Sequence, residues 1–363
     1  MFPDIYKSKF KFLIALVFFA GFSAAFAQLT DIANKPIAGA ATADVKPNIM
    51  LLMDTSQSMS FSHMPDEVEG LQVDLPIGYK SYQCNALYYN PNTVYILPKD
   101  SLGVNLATPI FTSARHNYYS TTDTATVDLS TAFRAYDTTT RQNQSSTAND
   151  TAQPAYYYIY TGTATPLSYK TDPCTQTDTG VSGFAGNIAA TGGNWTRKIV
   201  SATSGINSTD ERVNFAIWYT YYRTRMAMTK SSLSRAFVGV TDSFRVGFIS
   251  ANPGKPVAAA KYQALSDFDS TNKAAWYTKV FAQEPSGSSP MREGLARVGR
   301  HYGGMMDGIN SGMTPDPVSY SCQKNFTLMT TDGYWNTVAE TAGPVKLDGS
   351  PLVGKQANIL TLN

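Results

Sequence analysis

Asp54-Thr55-Ser56-Gln57-Ser58 sets one carboxylate and two hydroxyls at positions i, i+2 and i+4. On a loop leaving a buried strand, three such groups can converge on one small cation. All are hard oxygen donors, which suit Mg²⁺, Mn²⁺ or Ca²⁺ better than zinc. A second aspartate, Asp332, closes the apolar run Asn325 to Thr330 in Thr331-Asp332-Gly333. Between the two, Gly287-Ser288-Ser289-Pro290 places a further hydroxyl, that of Ser289, just before a helix start. A bare D-x-S-x-S also builds turns and helix caps. The apolar strand before it, and the second strand ending in aspartate, favour the cation.

The elements around these residues read as α/β. Ile49 to Met53 is a continuous apolar run without alternation, as expected of a strand buried on both faces of a parallel sheet. Phe215, Tyr219, Tyr222, Met226, Leu233 and Phe237 recur at three- and four-residue steps, with Thr229 filling the one gap, and predict one long helix over 210–240. Their aromatic rings read as core. Phe244 to Ile249 predicts the next strand, residues 271–283 a helix, Pro290 a helix start, and Asn325 to Thr330 a further strand. Open α/β sheets bind ligands at the carboxyl ends of their strands, where Asp54 and Asp332 would sit. Residues 62–205 differ. They are rich in Thr, Tyr, Asn and Gly, with short β-type pieces at Thr93 to Leu97 and Ala155 to Tyr160 and turns such as Asn90-Pro91 and Gly192-Gly193-Asn194. This region reads as a loop-rich β insertion. Its clustered Tyr156-Tyr157-Tyr158 suits either an interface or internal packing.

The N-terminus reads as an export signal. Lys7, Lys9 and Lys11 precede the apolar run Phe12 to Phe22, and Ala25-Phe26-Ala27 is a cleavage pattern before Gln28. The run is too short to span a membrane, which takes about 20 residues. Residues 28–45 read as a small-residue linker. The net charge is only +2, and removal of 1–27 brings it near zero. With no basic run, the chain lacks the electrostatic footprint of a nucleic-acid binder. Export permits disulfides. Of the three cysteines, Cys84 and Cys174 share the irregular region and are the expected pair, which leaves Cys322 unpaired or bonded to another chain.

PNIMLLMDTSQSMS, from Pro47, resembles the opening of a von Willebrand factor A domain with its metal-ion-dependent adhesion site. The resemblance implies Asp54, Ser56 and Ser58 as ligands from the motif, Ser289 as a hydroxyl from a later loop, and Asp332 after another strand, often through water. Gln57 stands where glycine is most usual, and Ser289 where threonine is. A narrower resemblance rests on four blocks: CNALYYNPNTVY (84–95), NFAIWYTYYRTRMAMTKSSLSRAF (214–237), SPMREGLARVGRHYG (289–303) and NFTLMTTDGYWN (325–336). These are similar to the N-terminal region of PilY-type proteins, which are type IV pilus assembly factors and tip-associated adhesins. That family implies a von Willebrand A-like, Rossmann-type domain, here 46–61 with 206–363, interrupted by the insertion 62–205. It also places a β-propeller with a calcium loop after this domain. The chain stops at Asn363, so a fragment, or a sheet incomplete at the C-terminus, is expected.

The implied function is pilus biogenesis and tip adhesion through a Mg²⁺-type site that accepts a partner's carboxylate. The implied partners are pilus-tip components, minor pilins and a host or surface ligand, and the implied location runs from periplasm and outer membrane to the cell surface. The alternative is a secreted A-domain binding protein without a pilus role. Enzymatic readings fare worse. Met53-Asp54-Thr55-Ser56 resembles half of an aspartic protease site, but the D-T-G that follows, Asp178-Thr179-Gly180, comes after the polar Thr175-Gln176-Thr177 and not after an apolar strand like that before Asp54. No G-x-S-x-G occurs, and Asp267-Phe268-Asp269 lacks the glycine and glutamate of a calcium loop. The expectation is therefore binding rather than catalysis.

Overall fold

The apolar run after Pro47 becomes a strand with neighbours on both sides. In this computed structural model the described residues are 45–69, 76–137, 150–163, 173–176, 194–314 and 316–333. The expected signal segment, nearly all of the 28–45 linker, Gly192-Gly193 and Tyr334-Trp335-Asn336 lie outside them. In chain order the elements are β1 (Asn48–Met53), β2 (Ala114–Arg115), β3 (Thr126–Val127), β4 (Tyr156–Tyr160), β5 (Trp195–Ile199), α1 (Arg212–Tyr221), α2 (Arg225–Phe237), β6 (Arg245–Ser250), β7 (Tyr262–Asp267), α3 (Ser270–Phe281), α4 (Met291–Tyr302) and β8 (Asn325–Thr330).

The main sheet has the order β7-β6-β1-β8. Both neighbours of β1 run parallel to it, with Met53 level with Ser250 and with Thr330. β7 is antiparallel to β6 at one edge. The sequence reading missed this strand, because its half-buried pattern gives neither an apolar run nor clean alternation. Helices cover both faces of β1 and β6, while the side chains of β8 at the other edge are largely exposed among the described residues. Leu51, Met53, Val246 and Phe248 pack with Met226, Leu233 and Phe237 of α2 and with Trp276 and Val280 of α3. Met50, Leu52 and Ile249 pack with Met291 and Val298 of α4 on the other face. Gly294 lets α4 close on β1, since a Cβ there would lie 3.0 Å from Leu52. Asp269 caps α3 by accepting from the Asn272 amide at 2.9 Å, so the Asp-Phe-Asp segment is a helix-preceding turn. Among the described residues no helix is long and apolar enough to cross a membrane.

The single helix expected over 210–240 is two. Tyr222 to Thr224 break it. Thr224 caps the second helix, its hydroxyl accepting from the Ala227 amide at 3.2 Å, and Ser231 donates to the Tyr221 carbonyl at 2.6 Å. The hydroxyls thereby satisfy backbone groups that a continuous helix would have paired. The break divides the aromatic stripe between two cores. Phe215, Trp218 and Tyr219 of α1 pack into residues of the 62–205 region, whereas Phe237 of α2 packs under the sheet.

Within 62–205, β2 pairs with β3 and β4 with β5, both antiparallel. Thr93 to Leu97 is not a strand. The amide side chain of Asn214 bonds the Tyr95 amide and the Thr93 carbonyl, both at 2.8 Å, and takes the place of a neighbouring strand. Cys84 and Cys174 form a disulfide, while Cys322 is free and exposed. Tyr156, Tyr157 and Tyr158 are buried, so internal packing claims them. Glu211, just before α1, is buried and accepts from the hydroxyls of Tyr89, Tyr157 and Ser204 at 3.0, 3.0 and 2.6 Å.

This aromatic core carries a pH signature. Burial pushes the phenols of Tyr88, Tyr89, Tyr119, Tyr157 and Tyr221 above their ordinary value of 10.0, and raises Tyr95 and Tyr219 to about 12. A folded-state value above the unfolded one means that the contribution is whole below pH 10.0 and is lost as pH rises toward the folded value. Urea midpoints are expected to hold up to about pH 10 and then fall steeply, since several phenols act together. A midpoint unchanged through pH 11 would mean that these rings ionise as they do in the unfolded chain.

Candidate metal centre

Asp54 follows β1 directly, and its amide extends the sheet by bonding the Thr330 carbonyl at 2.9 Å. The residue is 0% exposed. Its Oδ1 accepts from the Ser56 amide at 2.9 Å, while its Oδ2 accepts from the Ser289 hydroxyl at 3.1 Å and the Thr331 hydroxyl at 3.2 Å. The hydroxyls of Ser56 and Ser58 lie 3.1 Å apart. Two backbone bonds lock the supporting loops: the Ser286 amide to the Thr55 carbonyl at 2.8 Å, and the Gln57 amide to the Gly287 carbonyl at 3.0 Å. Gly287 has φ +72°, a conformation that glycine adopts without strain.

The structure thus joins Asp54, Ser56, Ser58 and Ser289 in one hydrogen-bonded cluster. It adds Thr331, which the sequence reading did not single out. Register explains Thr331: β1 and β8 run parallel with Met53 level with Thr330, so the next residue on each strand is Asp54 and Thr331. No sequence signal gives that offset.

Asp332 is placed differently. Its side chain is 1% exposed, and its Oδ2 takes a hydrogen bond from Arg225 Nη1 at 2.9 Å. Arg225 was also missed. An arginine on the first turn of a helix opposes the helix dipole and calls for an acidic partner elsewhere, but one helix over 210–240 gives no helix start at Arg225. The same guanidinium donates to Asp66 and, through Nε and Nη2, to the His63 carbonyl at 3.0 and 2.8 Å.

The charges differ accordingly. None of the ion pairs among the described residues involves Asp54, and only neutral donors touch its carboxylate. A buried carboxylate without a cation is costly. One such carboxylate among hydroxyls from three loops is a donor set that fits a hard divalent ion. Among the described residues, no group of three or more His, Cys, Asp or Glu is placed to hold a metal. A cation here would therefore depend on the hydroxyls as much as on charge.

Beside the Gln57–Ser60 turn lies a cleft of about 170 Å³ whose walls include Ser60, His116, Asp123, Arg223 and Glu284. His116 Nδ1 bonds the Tyr219 hydroxyl at 2.8 Å. Burial, and then the Arg223 guanidinium, lower the His116 pKa and favour the neutral ring. Lys230 sits near, 3.7 Å from Glu284 and over the Tyr119 ring, and burial brings its pKa down to about 8.

A mixed, mostly parallel sheet between helices, with hydroxyls and a buried carboxylate at its carboxyl end, defines an α/β protein with a candidate oxygen-donor site. No family model matches the chain, and no solved structure matches it. The chain is, however, a relative of the PilY-type proteins. Over 326 residues it is 27% identical to the type IV pilus biogenesis factor PilY1 of one Pseudomonas aeruginosa strain, which takes in 82% of this chain and 24% of the relative. PilY1 from a second strain is 28% identical over 83% of this chain and 24% of the relative, and from a third 25% identical over 82% and 25%. The chain spans about a quarter of the length of the curated relatives it matches.

Proposed function

We propose that this chain is an exported, von Willebrand A-like part of a type IV pilus biogenesis and tip-adhesion protein, acting by binding and not by catalysis. In this reading a Mg²⁺-type ion is held by Asp54, Ser56, Ser58, Ser289 and Thr331, with Asp332 at the rim. The observation that carries it is the buried Asp54 carboxylate, which accepts from the Ser56 amide and from the Ser289 and Thr331 hydroxyls, and meets no cation among the described residues. With so few charged ligands, a bound divalent ion would stay electrophilic and could take a carboxylate from a partner. The pilus assignment is supported by the similarity to PilY1, a type IV pilus biogenesis factor.

The test is an immunoblot of sheared surface pili, using antibody to residues 28–363, in the parent bacterium and a pilus-less strain. A band that disappears with the pili, together with surface attachment of sheared pili that EDTA abolishes and Mg²⁺ restores, is the expected result. A band in the medium regardless of pili would sink the pilus assignment. Attachment indifferent to EDTA would sink the metal.

A further inference from the structure

Arg225 and Asp332 are both almost fully inside, at 3% and 1% side-chain exposure. The guanidinium sits over the Phe61 ring at 5.0 Å, and the Arg225 amide bonds the Phe61 carbonyl at 3.0 Å. Its N–H groups reach His63, Asp66 and Asp332, so a single cation ties the 61–66 segment and the start of α2 to the loop after β8. That loop also carries Thr331, whose hydroxyl touches Asp54. The two aspartates at the carboxyl end of the sheet are thus unequally supplied: Asp332 has a cation of the chain's own, and among the described residues Asp54 has none.

We infer that Arg225 is a built-in rival of the divalent ion for Asp332, so that metal binding at Asp54 and the anchoring of the 61–66 segment oppose each other. The inference rests on the metal reading of the Asp54 cluster and adds its regulation. A divalent ion beside Asp54 is repelled by a guanidinium held next door, and a dry site screens that repulsion little. When Asp332 turns its charge to the metal, Arg225 loses a partner that it cannot replace from water. Linkage makes the effect reciprocal: whatever weakens the Arg225–Asp332 pair tightens the metal, and the metal loosens the pair. The site is then a two-position switch, with His63 and Asp66 on the moving side.

The test is Mn²⁺ titration of the full chain by calorimetry, with circular dichroism as the check on folding. Arg225→Gln is expected to tighten Mn²⁺ by about tenfold or more, within the usual range of coupling between sites. Arg225→Lys, which keeps the charge, should stay near the parent. In Arg225→Gln with Asp332→Asn the gain should vanish. Independently of any variant, saturating Mn²⁺ should speed hydrogen exchange across residues 61–66 of the parent. A folded Arg225→Gln that binds Mn²⁺ no tighter than the parent overturns the rivalry and leaves the metal reading standing. Unchanged exchange at 61–66 under saturating Mn²⁺ overturns it as well. If neither the parent nor Arg225→Gln binds Mn²⁺ at all, the metal reading falls and the rivalry with it.

Discussion

Asp54→Asn is expected to abolish Mn²⁺ binding and, in EDTA, to leave the protein at least as stable as the parent. The two halves have one cause. Asp54 is the carboxylate at the centre of the cluster, and none of the described ion pairs reaches it. Removing a metal-facing carboxylate costs more than removing an outer partner, which already takes about 10–100-fold from affinity, so the expected loss exceeds about 100-fold. Without metal the same charge is a burden, because burial penalises it and no cation among the described residues offsets it. Asparagine keeps the volume, and its carbonyl can still accept from the Ser56 amide, so a gain of about 1 kcal/mol is expected in EDTA. The order should reverse in Mn²⁺. A ligand at 100 times its Kd adds about 2.7 kcal/mol to a protein that binds it and nothing to one that does not. Thermal melts of parent and variant, each in EDTA and in Mn²⁺, measure all four states. Equal Mn²⁺-induced shifts in both proteins would remove Asp54 from the site.

How far the site was legible depended on whether its parts are local. Asp54, Ser56 and Ser58 lie within five residues after an apolar run, so spacing alone marks them, whereas Ser289 was chosen from Ser288-Ser289 before a helix-starting proline by the von Willebrand A resemblance. Thr331 needed the parallel register of β1 and β8, a long-range fact. Arg225 needed the break between α1 and α2, which hydroxyl capping at Thr224 and Ser231 decides against an unbroken apolar stripe. Periodicity sees side-chain spacing and not the competition for backbone groups. Asp332 was found for its position after a strand, but its pairing with a distant arginine was not foreseeable. In the fold, β1, β6 and β8 were readable because they are apolar runs. β7 was not, since Tyr262 to Asp267 gives neither an apolar run nor clean alternation. The Asn214 side chain that replaces a strand beside Thr93 to Leu97 is also a contact across more than a hundred residues.

The second large effect is expected at Trp218, and it concerns how the insertion and the sheet domain hold together. Trp218 lies on α1 with 1% exposure and meets the rings of Tyr88 at 5.2 Å, Phe215 at 5.0 Å and Tyr89 at 5.8 Å. Its indole N–H donates to the Leu87 carbonyl at 2.9 Å. Trp218→Ala opens a cavity in this aromatic core and strips that carbonyl of its donor, at a cost of about 3–5 kcal/mol. Trp218→Phe keeps much of the ring contact and loses chiefly the hydrogen bond, at about 1–3 kcal/mol. The loss should appear as one shifted urea transition. The aromatic core is tied to the sheet domain through Tyr119 and Ser231, whose hydroxyls lie 2.8 Å apart, and through Asp66 and Arg225. Two transitions, with the sheet domain keeping the parent midpoint, would show that the insertion folds on its own. The ratio of the Ala and Phe costs carries the remaining information. If Phe is as damaging as Ala, the hydrogen bond to Leu87 dominates. If Phe is nearly neutral, ring packing does, and the insertion is held to α1 by aromatic contact.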